Sequence, residues 1–298
     1  MICITGAGGT VGSELVRYLQ QGSHRFRLAY HAREKADAAR ARGFEAVLID
    51  YRSPDTLHAA FKNCEKIFLL GPNSIDQTAL ELNAVQAAKA AGVQHVVKQS
   101  VMGAEEESYS LAKVHRPVEQ AIESSGLDWT FLRPNSFMQN IVTFMAESIR
   151  TENSFYSASG KAKISHVDVR DIAAVAAHVL TETGHQKKAY TLTGPDPLSY
   201  EAIAGELSVV LGRTISHVSL APAEYLQGMI AEGMPEQIAE RMLDLERYFR
   251  EGRAAKLQGD IKLVTGAFPI AVRLSRGSLI KPHMALAHPQ FSEPKYLV

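Results

Sequence analysis

The sequence predicts an α/β fold, a doubly wound parallel sheet followed by a smaller α-rich C-terminal lobe. Short apolar runs alternate with amphipathic segments five times in the first 135 residues. In the first alternation, a cluster of glycines joins the apolar run to the amphipathic segment. No repeat or low-complexity linker interrupts the series. Strands that alternate with helices are joined by right-handed crossovers, so this order favours one parallel sheet of the Rossmann type.

Composition sets limits on the partners. The chain has 298 residues, of which 46% are hydrophobic and 21% charged, and its 32 basic residues balance 32 acidic ones. This balance argues against nucleic acid or an anionic membrane held by bulk electrostatics. Cys3 and Cys64 match no metal-ligand spacing, so we expect buried thiols in a reducing compartment. No apolar run is long enough to span a membrane, and the first strand begins almost at Met1, so we expect a cytoplasmic protein without a signal peptide.

The first strand ends in a glycine-rich loop that passes directly into a helix. Gly6 can make the tight turn, Gly9 lets the backbone approach a pyrophosphate, and Gly12 lets the helix pack closely on the strand. The helix N-terminus adds free N–H groups for the phosphates. The alternative is a tight turn that binds nothing. The cofactor-binding residues predicted in this loop are Gly6, Gly8, Gly9, Thr10, Val11 and Gly12.

The end of the second strand, 25–30, bears on the choice of cofactor. A fold that prefers NAD usually has Asp or Glu there, whereas this chain has His31 and Arg33. Arg33, with His31 or Lys35 beside it, could neutralise a 2′-phosphate, so the sequence favours NADPH, with NADH still possible. A solvated helix N-terminus is the alternative, because Glu34 lies among the bases.

The later strands end at the same edge of the predicted sheet. Asp50 follows the third strand and either binds the adenine amine or caps its own loop. A glycine and a proline break the fourth strand, so we expect their backbone to lie against the cofactor. The cofactor-binding residues predicted after the fourth, fifth and sixth strands are Gly71, Pro72, Ser100 and Asn135.

Candidate catalytic residues follow the fifth strand. Tyr109 and Lys113 have the spacing that puts two side chains on one helical face, where a lysine can lower the pKa of a phenol. Lys113 or His115 could instead hold a position near the nicotinamide. Plain packing is the third interpretation, because Pro117 prefers a first helical turn and would then leave Tyr109 in a loop. The sequence leaves all three open.

The two predicted domains are 1–150, which binds NAD(P), and 151–298, a smaller lobe that covers the substrate. Parts of the second half can still return to the main sheet. An apolar stripe after the sixth strand, which is either core or pocket, includes Phe137. No spacing of residues predicts a metal site.

These residues together resemble the NmrA-like branch of the atypical short-chain dehydrogenases. The resemblance covers about residues 1–265 and is strongest for the flavin-free NAD(P)H reductases of quinones, triphenylmethane dyes and azo compounds. Relatives usually have Arg where His31 stands, and they generally lack Tyr109 and Lys113. The tail 267–298 does not look like the final helix of the family. The matching motifs are 4–12, 50–51, 111–112 with His115 and Glu119, 130–133, and 166–168 with 171–173.

The resemblance implies hydride transfer from NADPH to a planar aromatic acceptor, without flavin or metal. His115, Lys113 or Tyr109 would supply a proton or orient the carboxamide, and Phe137 and Met138 would stack on the acceptor. The alternative within the family is a redox sensor that binds the dinucleotide without turnover. We expect a monomer or homodimer that binds small molecules rather than nucleic acid or membrane.

Overall fold

The structure is a computed structural model that describes residues 1–271. The sequence predicted a divergent tail at 267–298, and the part of it that follows residue 271 lies outside the described residues. No helix within the described range is both long and apolar enough to cross a membrane. The described chain forms two compact units. The first comprises 1–134, 169–192 and 258–269, and the second comprises 135–168, 193–257 and the segment from Ile270.

The strands and helices alternate along most of the chain. The strands are β1 (Ile2–Ile4), β2 (Phe26–Tyr30), β3 (Glu45–Leu48), β4 (Lys66–Leu69), β5 (His95–Gln99), β6 (Asp128–Pro134), β7 (Ser154–Ser157), β8 (Lys163–Ile164), β9 (Lys188–Leu192), β10 (Leu198–Ser199) and β11 (Ser216–Ser219). The helices are α1 (Thr10–Leu19), α2 (Arg33–Ala41), α3 (Pro54–Phe61), α4 (Gln77–Ala90), α5 (Ser110–Ser124), α6 (Gln139–Glu152), α7 (Val169–Thr181), α8 (Tyr200–Leu211), α9 (Pro222–Ala231), α10 (Glu236–Arg250) and α11 (Asp260–Thr265). Two short 3₁₀ turns are Ala104–Glu106 and Arg253–Ala255.

The first unit contains a seven-stranded sheet in the order β3-β2-β1-β4-β5-β6-β9. Neighbouring strands are parallel throughout, with Ile4 paired to Leu28 on one side and to Phe68 on the other. The adjacent strands β1 and β4 are almost entirely apolar because both faces of a parallel sheet are covered by helices. The strand order reverses at β1 and β4, and ligands bind beyond the carboxyl ends of such strands. The predicted doubly wound parallel sheet is confirmed.

The second unit is smaller and mostly helical. Its two small sheets pair β7 with β11 in parallel and β8 with β10 antiparallel. Phe155 is fully buried in its core, with its ring centroid 5.8 Å from that of Tyr200 and 5.3 Å from that of His217. The strand β9 and the helices α7 and α11 belong to the first unit. A substrate-covering role for the second half stays a prediction.

Candidate functional site

The glycine loop has the backbone geometry that a bound pyrophosphate requires. Gly6 has a φ of +64°, and its carbonyl accepts the Gly9 N–H at 2.9 Å. A Cβ atom on Gly12 would collide with the Gly6 carbonyl oxygen, so helix α1 can approach the loop this closely only with glycine there. Gly9 is the N-cap of α1 and has no side chain to accept its first N–H groups. These donors suit an anion.

The loop lies beside the end of β2. A Cβ on Gly8 would stand 3.2 Å from the Tyr30 ring and 3.3 Å from Lys35 Cδ. His31 and Arg33 are exposed at the start of α2, as is Lys35. Three basic side chains therefore surround the segment where a 2′-phosphate would be recognised. Of these three, Lys35 is the one in contact range of the glycine loop.

The loops after β3 and β4 are closed by side-chain hydrogen bonds. Asp50 Oδ1 accepts the Arg52 N–H at 2.8 Å, which is the loop-capping role that the sequence left open. The buried Tyr51 hydroxyl donates to the Leu70 carbonyl at 2.8 Å. Thr5 Oγ1 accepts the Leu70 N–H at 2.8 Å and so joins the ends of β1 and β4. These bonds fix the backbone just before Gly71 and Pro72.

A buried ionic network connects the exit of β4 to helix α5. The Gly71 N–H donates to Glu81 Oε1 at 2.9 Å. Lys98 Nζ lies 3.0 Å from Glu81 Oε1 and 2.9 Å from Oε2, and it also donates to the Gln99 carbonyl. The same ammonium lies 3.1 Å from His115 Nδ1. Glu81 and Lys98 are fully buried, and His115 is 5% exposed.

The three predicted catalytic residues have different surroundings. Tyr109 is the buried N-cap of α5, and its hydroxyl donates to the Met102 carbonyl at 3.1 Å. Lys113 lies in the first turn of that helix and is exposed. Burial and the Lys98 charge hold the pKa of His115 well below its usual range. Pro117 lies inside α5 rather than in its first turn, so Tyr109 caps a helix that begins at Ser110.

Ser100 and Asn135 follow β5 and β6, as expected. Ser100 is buried, and its N–H donates to the Leu132 carbonyl at 2.7 Å. Asn135 belongs to the second unit and is also buried. Its Nδ2 donates to Ser165 Oγ at 2.9 Å and to the Ala254 carbonyl at 2.8 Å. Its Oδ1 accepts the Ser136 N–H at 2.9 Å, so both ends of the amide hold the second unit together.

The two predicted substrate residues precede α6 in the second unit. Phe137 is half-buried and forms a parallel bridge with Val167. Met138 is buried, and its N–H donates to the Val167 carbonyl at 2.9 Å. The apolar stripe that follows is divided, because Ile141 is buried while Phe144 is 41% exposed.

The second unit also buries a carboxyl group that the sequence did not single out. Glu246 lies on α10, and burial raises its pKa to about 7. Among residues 1–271, its Oε2 has no hydrogen-bond partner. The phenols of Tyr200 and Tyr225 lie close enough for their pKa values to be raised by its charge as well as by burial. Within the same range, no three His, Cys, Asp or Glu side chains gather as a metal site would require.

Comparison with known proteins gives a consistent result. A model of the NmrA-like family matches residues 1–273. The chain is 37% identical over 267 residues to an NAD(P)H azoreductase of Xenophilus azovorans, covering 89% of this chain and 93% of that protein.

Two solved structures are similar over nearly the whole chain. One is an NADPH-dependent quinone oxidoreductase of Escherichia coli complexed with NADPH, at a TM-score of 0.85 and 26% identity, covering 94% of this chain and 98% of that one. The other is the triphenylmethane reductase of a Citrobacter species complexed with NADP(H), at a TM-score of 0.82 and 26% identity, covering 94% and 99%.

Proposed function

Because this chain belongs to the NmrA-like family, we propose that it is a flavin-free, NADPH-dependent reductase of planar aromatic acceptors. The acceptors are of the quinone, azo or triphenylmethane dye type. The observation that carries the proposal is the glycine loop of the first unit, where Gly12 has no room for a side chain and no side chain caps the N-terminus of α1. The named relatives reduce acceptors of these classes with a nicotinamide cofactor.

The residues of the loop fit a dinucleotide. The backbone of 6–12 would hold the pyrophosphate, and the ends of β3 and β4 would hold the rest of the cofactor. His31, Arg33 and the neighbouring Lys35 are exposed and basic, which supports NADPH over NADH. A bound nicotinamide would supply the hydride.

The proposed roles of the reaction residues follow from their surroundings. His115 is neutral and so suits hydrogen bonding rather than acid catalysis. Lys113 would position the nicotinamide ribose. Tyr109, whose hydroxyl donates a hydrogen bond to the Met102 carbonyl, would hold the start of α5 in place. Phe137 and Met138 would stack on the acceptor. Because a nicotinamide beside an apolar surface needs little acid–base assistance, positioning would supply most of the rate.

The cell compartment and the assembly belong to the same proposal. Cys3 and Cys64 are buried free thiols, which agrees with a reducing, cytoplasmic location. We expect a monomer or homodimer that takes small molecules, without metal.

The test is the loss of NADPH absorbance with flavin-free protein and a quinone, an azo dye or a triphenylmethane dye, with NADH in parallel. Acceptor-dependent oxidation that is faster with NADPH would support the proposal. Tight binding of the dinucleotide without turnover of any acceptor would overturn it and favour a redox sensor. The Gly12→Val variant, in which the loop cannot close, serves as the control for background reduction.

A further inference from the structure

Lysine is an unusual residue in the middle of a buried parallel sheet. Lys98 belongs to β5, whose residues are all buried, and its own side chain has no exposed surface. Removing an ammonium from water costs several kcal/mol, so it persists only where partners surround it. Its partners come from α4, its own strand and α5.

The chemistry of an ammonium determines the state of its histidine partner. A lysine side chain has three hydrogens to donate and no lone pair to accept with. His115 Nδ1, 3.1 Å from Lys98 Nζ, must therefore be the acceptor and carry no hydrogen. The single hydrogen of the neutral ring is then on Nε2.

The carboxylates on α4, on α5 and in the 3₁₀ turn before α5 already have partners. Glu81 of α4 is paired with Lys98 and accepts the Gly71 N–H. Glu119 lies one turn further along α5, where Arg133 of β6 binds it at 2.8 Å and Arg116 at 2.9 Å. Glu105 is paired with Arg133 at 3.0 Å. None of these pairs supplies an unneutralised carboxylate that would favour a charged imidazole.

We propose that Lys98, held by Glu81, is a positioning residue that fixes His115 as the neutral tautomer with its hydrogen on Nε2. The first unit thereby holds a neutral imidazole whose only hydrogen-bond donor is Nε2–H. The use of this donor in reduction rests on the proposed function, whereas the tautomer itself does not.

The donor would act on some acceptors more than on others. A quinone or azo compound that takes up hydride gains negative charge on oxygen or nitrogen, which an N–H group stabilises until water supplies the proton. A cationic triphenylmethane dye becomes neutral when it takes up hydride, so it has no such charge to stabilise. His115 should therefore matter for quinones and azo compounds and hardly at all for the dye.

The test variant must remove the Lys98 ammonium without leaving the Glu81 carboxylate buried and unpaired. Lys98→Met combined with Glu81→Gln keeps the volume of both side chains and an oxygen for the Gly71 N–H. The matched control is Arg27→Met with Glu45→Gln, which removes a 2.6 Å ion pair between β2 and β3. Both double variants lose one ion pair from the same sheet.

The first readout is the ¹⁵N spectrum of histidine side chains, with His115→Gln to assign the signal. Near neutral pH, we expect His115 to have no hydrogen on Nδ1 and one on Nε2, both in the unaltered protein and in the Arg27/Glu45 control. The Lys98/Glu81 variant should gain the other tautomer, and the pKa of His115 should rise. A hydrogen on Nδ1 in the unaltered protein would overturn the proposal.

The second readout is turnover with each acceptor. The Lys98/Glu81 variant should lose about 10- to 100-fold in quinone and azo reduction, somewhat less than the complete loss of one donor that stabilises developing charge. Reduction of the triphenylmethane dye should stay within about twofold. Equal losses on all acceptors would overturn the proposed role. If the unaltered protein has the expected tautomer but reduces nothing, the proposed function fails while the tautomer assignment stands.

Discussion

The two units of this protein each bury a glutamate and stabilise it in different ways. Glu81 in the first unit is ion-paired with Lys98 at 2.9 Å and accepts the Gly71 N–H. Glu246 in the second unit has an oxygen, Oε2, without a hydrogen-bond partner in the part of the chain described here, and burial raises its pKa to about 7. Arg250, whose charge favours the carboxylate, donates to the Ala158 carbonyl.

The difference shows what decides the charge of a buried carboxyl group. A carboxylate in a low-dielectric interior needs a cation and N–H donors at short range, and otherwise it takes up a proton. The first unit supplies them and can use the resulting network to orient His115. In the second unit, burial raises the pKa of Glu246 by more than the Ser159 hydroxyl, the charge of Arg250 and the Ala158 N–H lower it, so the stability of this unit depends on pH.

Removal of Lys98 alone should be the most damaging change. Lys98→Met leaves Glu81 as an uncompensated buried charge, which typically lowers the free energy of unfolding by about 3–5 kcal/mol. Adding Glu81→Gln should restore most of that loss, because no charge then remains. Urea denaturation of both variants measures the difference, and equal losses would show that the ion pair is not what stabilises this region.

Glu246 should make the protein less stable as pH rises. Its carboxyl group has an ordinary pKa of 4.5 when unfolded and about 7 when folded. The folded state therefore binds the proton more tightly, and the free energy of unfolding falls between these pH values by about 3 kcal/mol. Above pH 7 this contribution is constant. Glu246→Gln should remove the dependence and stabilise the protein at pH 8, as measured by thermal unfolding at pH 5 and pH 8. A loss of stability at pH 8 would contradict the account.

The Asn135→Ala variant tests whether the stability of the second unit depends on the hydrogen bonds of a neutral polar side chain. Asn135→Ala removes the donor to Ser165 and to the Ala254 carbonyl, which should cost about 1–3 kcal/mol in the free energy of unfolding. The affinity of the folded protein for NADPH, measured by fluorescence titration, should change little. Weaker NADPH binding with unchanged stability would instead support the cofactor-binding role predicted from the sequence.

Exposed charges should have the smallest effect on stability and a selective effect on the cofactor. Arg33→Ala should weaken NADPH binding by about tenfold, equivalent to ~1.4 kcal/mol, and leave NADH binding unchanged. Arg17→Ala, which removes an exposed base from α1, is the matched control. Equal weakening of NADPH and NADH binding would show that Arg33 does not recognise the 2′-phosphate.

The sequence predicted those parts of the molecule that depend on local pattern. The glycine spacing of 6–12 and the alternation of apolar runs predicted the loop and the parallel sheet, because backbone conformation and burial act over a few residues. The network around Lys98 could not be predicted in this way. Lys98 looks like one polar residue in a strand, and Glu81, a partner in a helix 17 positions earlier, is brought to it only by the fold.

Asn135 and Glu246 also have surroundings that the sequence did not predict. Asn135 follows β6 at the edge where open α/β sheets generally bind ligands, and position alone could not show that Ser165 and Ala254 engage its amide. Glu246 lies between Leu245 and Arg247 in an amphipathic helix and looks like an exposed residue, although it is 6% exposed. Tertiary contacts, rather than periodicity, decide both cases.

The most direct test of the account follows the hydride itself. Flavin-free protein is supplied with NADPH that carries deuterium in one or the other position at C4 of the nicotinamide, together with a triphenylmethane dye. We expect one of the two isomers to pass its deuterium to the central carbon of the reduced dye, where it does not exchange with water. A reduced dye without deuterium from either isomer, or reduction that begins only when flavin is added, would contradict direct hydride transfer by this protein.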